Sequence, residues 1–142
     1  MSPLSRARRL PWSPDSGDVI SVLMAGPERE WRPALVVSPA AFSSKAGIAI
    51  VCLIVDCARG NPFEVALPAR SCVTGVVLAD QVTSIDLRRR SVRLEGPVPG
   101  EVVAEVLERL LPLLVPTEDV EHLAAVSRTY THASERTAGI RR

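Results

Sequence analysis

Gly47-Ile48-Ala49-Ile50-Val51-Cys52-Leu53-Ile54-Val55 is the stretch on which the fold turns. Both alternating sets, Ile48/Ile50/Cys52/Ile54 and Ala49/Val51/Leu53/Val55, are apolar. Successive side chains of an extended chain point to opposite faces, so a segment apolar in both sets is predicted to be a strand buried on both faces. Such a strand is central in its sheet, or is covered at a subunit contact. Shorter strand signals surround it at 19–24, 34–37, 63–67, 76–78, 82–87 and 91–94, divided by Gly, Pro and charged turns. The period then changes. Val102, Val103, Val106, Leu107, Leu110, Leu111 and Leu114 recur at helical spacing, which predicts a helix over 101–114 that Pro112 kinks or ends. Thr117, followed by Glu118 and Asp119, reads as the cap of a second helix reaching about residue 130. Several short strands followed by a helix predict a mainly β fold with α, a small barrel carrying C-terminal helix.

Working outward, the chain has 142 residues, which suits one domain around one core. Hydrophobic residues make up 46%, too many for a disordered chain, yet aromatics are 4%, so aliphatic side chains must build the core. The net charge of +1 does not by itself announce a nucleic-acid partner, and any basic site must be a local patch. Lys45 is the only lysine among 17 basic residues, a bias that codon usage explains as readily as phosphate binding. No apolar run is long enough to span a membrane, and the basic start at residues 1–10 lacks the apolar segment of a signal peptide. Cys52, Cys57 and Cys72 lack metal-ligand spacing and read as reduced thiols of a cytoplasmic protein. The Pro- and Ser-rich residues 1–15 read as an irregular arm, 16–115 as the main domain, and 116–142 as a helical extension with a frayed end.

Catalytic motifs are scarce. His122 and His132 both fall in the C-terminal region, and neither a metal cluster, a glycine-rich phosphate loop nor a Ser-His-Asp set is visible. Any chemistry must come from Arg, Asp, Glu, Ser, Thr or backbone groups. That inventory suits reactions at phosphates, where charge stabilisation supplies much of the rate.

Four ordered fragments then carry a resemblance. They are Gly17-Asp18-Val19-Ile20, the run 31–39 (Trp-Arg-Pro-Ala-Leu-Val-Val-Ser-Pro), the run 60–65 (Gly-Asn-Pro-Phe-Glu-Val) and the run 75–86 from Gly75 through Asp80-Gln81 to Asp86. Together they closely resemble the MazF/PemK family of toxin endoribonucleases from type II toxin–antitoxin pairs. The resemblance covers roughly 15–115. It implies an SH3-like β-barrel, a homodimer, and an antitoxin partner. It also implies metal-independent, cofactor-free cleavage of single-stranded RNA at a short sequence. In that chemistry the substrate's own 2′-hydroxyl attacks the adjacent phosphate, leaving a 2′,3′-cyclic phosphate and a 5′-hydroxyl. Related toxins on the same barrel act by binding DNA gyrase, so the alternative is a weak or inactive binding module of the same shape.

The resemblance assigns the catalytic arginine to Arg32, where a fixed guanidinium meets charge developing on the phosphate. Without the family string, Arg32 reads as an exposed arginine ending a loop. The family's threonine position falls on Val55, which has no hydroxyl. Next to it, Asp56 is either a general base toward the 2′-hydroxyl or a loop acid that repels phosphate. Arg29, Lys45 and Arg59 read as loop cations available to phosphates, or as solvated surface charge. Trp31 and Phe63 can stack on bases, Trp31 reading as exposed and Phe63 as core. Ser38 either hydrogen-bonds the phosphate or starts a turn with Pro39. Asp80 and Gln81 either read base edges or close a hairpin. Arg88-Arg89-Arg90 reads as a solvated turn outside the site.

Overall fold

The computed structural model describes residues 12–116. The start of the N-terminal arm, the second helix expected at 117–130 and both histidines lie outside the described residues. Between them run β1 (Asp18–Leu23), β2 (Trp31–Val36), α1 (Ala40–Ala46), β3 (Ile48–Val55), β4 (Glu64–Ala66), β5 (Val76–Asp86), β6 (Val92–Pro97) and α2 (Gly100–Leu114). The strands form one antiparallel sheet in the order β4-β5-β3-β2-β1-β6. The chain divides into two compact units, 1–110 and 111–142. All strands and α2 as far as Leu110 belong to the first. Of the second, only 111–116 is described.

β3 is interior, as its doubly apolar pattern predicts. The consequence is two packed clusters rather than one. Val19, Leu35, Cys52, Ile54, Val65 and Val77 pack with Val102, Val106 and Leu110 of α2. The alternate residues Ile20, Val22, Ala34, Val36, Ala49 and Val51 pack with Leu87. Neighbours in sequence fall in different clusters because strand side chains alternate, so the sheet separates the two. Each fully buried aliphatic side chain stabilises the fold by about 1.5–3 kcal/mol relative to exposure, and the paucity of aromatics is met by this density of Val, Leu and Ile. The buried positions of α2, Val102, Val106 and Leu110, are spaced by four, one stripe of an α-helix.

The barrel expectation needs adjusting. β4 and β6 are the outer strands and do not pair with each other, so the sheet is not closed by hydrogen bonds. β4 is only three residues long, too short to offer a ladder. The loop after it nevertheless comes close to β6, where a Cβ on Gly96 would stand 3.2 Å from Cβ of Cys72. The expected strands 76–78 and 82–87 are one strand, β5. Its pairing with β3 jumps from Cys52↔Val82 to Ile54↔Val77, so residues 78–81 bulge out of the ladder, and bulges bend strands. Asp80 and Gln81 lie in this bulge and close no hairpin.

α1 carried no expectation. Its sequence signal is Gly47, whose left-handed conformation (φ 68°) ends the helix and whose N–H donates to the Ser43 carbonyl. Pro33 falls inside β2 rather than before it. The β2–β3 ladder begins at Ala34↔Leu53, so at Pro33 only β1 pairs with β2, and a residue without an N–H is tolerated there. Pro112 lies inside α2, whose last residue is Leu114, so the helix ends within a turn of it. The triple arginine is a turn organised by Asp86: its carboxylate accepts the N–H of Arg88, and its carbonyl accepts those of Arg89 and Arg90. No described helix is long and apolar enough to cross a membrane.

Candidate functional site

Strand direction gathers most of the candidate residues at one end of the sheet. β2 begins at Trp31-Arg32 and β3, antiparallel to it, ends at Val55. The β2–β3 ladder stops at Ala34↔Leu53, and its register carried two residues further would set Arg32 across from Val55, on one face by alternation. Asp56 lies just past the end of β3. The β1–β2 loop with Arg29, the β3–β4 loop with Arg59, and the start of β5 reach the same end.

A cleft of about 530 Å³ opens there, lined by Val55, Asp56, Cys57, Arg59, Asn61, Glu64, Leu78, Asp80 and Gln81. Thus Asp56, Arg59, Asp80 and Gln81 share one cleft. Arg32 is not among its walls; it opens β2 at the same end of the sheet. Val55 is 37% exposed, an unusual place for valine. Arg32 holds a single contact to Glu30 at 3.4 Å, with both side chains more than half exposed. An ion pair so solvated contributes little, so the guanidinium is free to move onto a phosphate. Arg29 lies in the β1–β2 loop with φ 41°, a left-handed conformation that is uncommon outside glycine.

The cleft walls are held from behind. Glu64 Oε1 accepts the Arg59 N–H at 2.8 Å, and Asn61 Oδ1 accepts the Phe63 N–H at 2.8 Å. Arg109 of α2 donates to the Pro62 carbonyl and to Glu105, which ties this loop to the helix. Sequence reasoning had no signal for Arg109, because the contact spans 47 residues. Phe63 packs on the core, as expected.

Three carboxylates (Asp56, Glu64, Asp80) face one cation, Arg59, in this cleft. Asp80 Oδ1 is buried without a hydrogen-bond partner, which is costly unless a ligand or water satisfies it. Its charge also acts on Cys52. Burial first, and Asp80 second, push that thiol up to about 11. All three cysteines are free, Cys52 buried and Cys57 and Cys72 exposed. At pH 8, therefore, a maleimide is expected to label Cys57 and Cys72 within minutes and Cys52 only after unfolding, since the thiolate is the reactive form. Three rapid labels by mass spectrometry would contradict the assignment.

Two candidates are placed elsewhere. Ser38 is 5% exposed and its Oγ accepts the Ile50 N–H at 2.9 Å, so the structure uses it to pin the β2 end to β3. Lys45 is on α1, not in a loop. α1 joins the far end of β2 to the far end of β3, and the length of β3 sets Lys45 on the order of 20 Å from Val55. Among the described residues, no group of three or more His, Cys, Asp or Glu is arranged to hold a metal ion.

Comparison with known proteins agrees with this geometry. Residues 15–114 match the family described as PemK-like, MazF-like toxin of type II toxin-antitoxin system. The Escherichia coli K12 endoribonuclease toxin MazF is 40% identical over 95 residues, covering 62% of this chain and 82% of that protein. The Escherichia coli endoribonuclease PemK is 36% identical, covering 63% and 71%. The MazE–MazF crystal structure from Deinococcus radiodurans superposes with a TM-score of 0.67 at 42% identity, covering 72% of this chain and 96% of that one. A mycobacterial endoribonuclease bound to its antitoxin, at 21% identity and a TM-score of 0.62, shares the fold. The chain belongs to the PemK/MazF-like toxin family of type II toxin–antitoxin systems.

Proposed function

We propose that this protein is an endoribonuclease toxin that cuts single-stranded RNA at a short sequence and is silenced by an antitoxin. One observation carries the reading. Arg32, a loosely paired forked cation, opens β2 at the end of the sheet where β3 ends at Val55 in the wall of a cleft, in a chain whose relatives are named endoribonucleases.

The 2′-hydroxyl of the substrate attacks the adjacent phosphorus, the bond to the 5′-oxygen breaks, and that oxygen takes up a proton from water to leave as the 5′-hydroxyl. Arg32 meets the negative charge that builds on the non-bridging oxygens. Asp56 takes the proton of the 2′-hydroxyl, the role left open by a valine where the family has threonine. Arg29 and Arg59 contact neighbouring phosphates. Asp80, with its unsatisfied oxygen, and Gln81 accept or donate hydrogen bonds at base edges. The acidic cleft interior suits base amino and imino groups, and phosphates belong at its arginine rim. Ser38 and Lys45 are left out of this site. A homodimer and a cytoplasmic location complete the proposal: the exposed Leu113 and Leu114 at the end of α2 offer apolar surface for a second copy, and the antitoxin partner follows the MazE–MazF assembly of the Deinococcus radiodurans relative.

The test is cleavage of RNA by the purified chain. Cutting should survive excess EDTA and fall steeply as salt rises from low to physiological concentration, because each phosphate contact releases counterions. The active particle should scatter light with twice the 15.3 kDa chain mass. Activity lost in EDTA and restored by a divalent ion would overturn the metal-free mechanism.

A further inference from the structure

Trp31 opens β2 beside Arg32, and its side chain is neither core nor free. It is 36% exposed, and one ring face is covered by Arg93, whose guanidinium carbon lies 4.3 Å from the ring centroid. Arg93 belongs to β6 and reaches Trp31 across β1. Ser21 pairs with Arg93 on one side and Pro33 on the other, and Leu23 pairs with Trp31. Alternation therefore sets Ser21, Leu23, Trp31, Pro33 and Arg93 on one face of the sheet.

Arg93 is itself held. Its Nε donates to Glu95 Oε1 at 3.1 Å, and Ser21 Oγ donates to the same oxygen at 2.6 Å. The Ser21 hydrogen bond first, and Arg93 as well, lower the Glu95 pKa below its ordinary value, so Glu95 is a carboxylate at neutral pH. Ser21 is 5% exposed, which gives the chain of contacts a rigid root in β1. A guanidinium fixed this way restrains the indole, about a third of which stays exposed. A flat, immobilised aromatic face loses little conformational entropy when a planar partner arrives.

We propose that the exposed part of the Trp31 ring is a stacking subsite for an unpaired base of an RNA strand that crosses this end of the sheet, and that Arg93, fixed by Glu95 and Ser21, is its positioning residue. The inference rests on the ribonuclease reading. Arg93 covers the ring, and Arg32, the next residue of β2, turns to the opposite face at the same end of the sheet, where it pairs with Glu30. An exposed aromatic beside forked cations is the arrangement that single strands use: bases stack and phosphates find charge. A protein partner would instead favour a contiguous apolar patch.

The experiment measures binding of a labelled pool of single-stranded 2′-O-methyl oligonucleotides, which cannot be cut because the attacking hydroxyl is blocked, alongside cleavage of ordinary RNA. Trp31→Ala should weaken binding of the pool roughly tenfold or more. Trp31→Phe should recover most of the loss, and Trp31→Leu, which keeps apolar bulk without a stacking face, should not. Arg93→Met should raise KM severalfold while kcat stays within about twofold, with partial rescue by Arg93→Lys. If Trp31→Ala or Trp31→Leu is folded and binds the pool like the native chain, the subsite is overturned, and an accompanying loss of antitoxin affinity would mark that face as a protein contact instead. If the native chain cuts no RNA yet Trp31→Ala and Trp31→Leu still weaken the pool, the stacking subsite stands and the ribonuclease reading fails.

Discussion

Arg32→Ala is expected to slow RNA cleavage by about 100-fold or more, comparable to removing one donor from an oxyanion site. Among the described residues its side chain bonds only to an exposed Glu30, so melting temperature should change little. Arg32→Lys should recover part of the rate, because an ammonium cannot fork onto two oxygens. Asp56→Asn divides the two roles open to Asp56. A general base that becomes an amide loses most activity, and a bystander that repels phosphate leaves cleavage unchanged or tightens RNA binding. Val55→Thr restores a hydroxyl on the face that Arg32 shares and should raise the rate. A chain that cuts equally well with Arg32→Ala would refute the assignment. A native chain that cuts no RNA and is not rescued by Val55→Thr would leave the binding-module alternative.

Gly75→Ala is expected to have the largest effect on stability, about 3 kcal/mol, which is roughly 10 °C or more in Tm. Gly75 has φ +132°, and a Cβ there would collide with the Val55 carbonyl oxygen and stand 3.1 Å from the Val55 carbonyl carbon. The obstacle is backbone, which cannot rotate away as a flexible side chain can. Relief must come from moving the end of β3, which carries Val55 and Asp56. Activity should therefore fall even at temperatures where the variant is folded. Gly60→Ala is the control. Its φ is +82° with nothing within 4 Å, so it should lose only the conformational term of about 1 kcal/mol. Equal losses in thermal melts of the two variants would show that the collision is relieved without cost.

The sequence by itself determined where strand segments lie, the helical stripe of α2 and the central place of β3, because periodicity is a local record of burial: a strand apolar in both sets has nowhere to go but the middle. It also determined the family, because four ordered fragments spanning most of the domain are specific together. Distances across the sheet left no such record. The parity of β2 puts Arg32 and Trp31 on opposite faces, and the bulge in β5 turns Asp80 and Gln81 into the cleft wall. The joining of β2 to β3 through α1 carries Lys45 to the far end, and the Ile50 N–H claims the Ser38 hydroxyl. Only the tertiary structure decided these, since each depends on pairing register or on a hydrogen bond between residues remote in sequence. The contacts of Arg109 with Pro62 and of Arg93 with Trp31 belong to the same class: an arginine's reach is visible only when its partner strand or loop is in place.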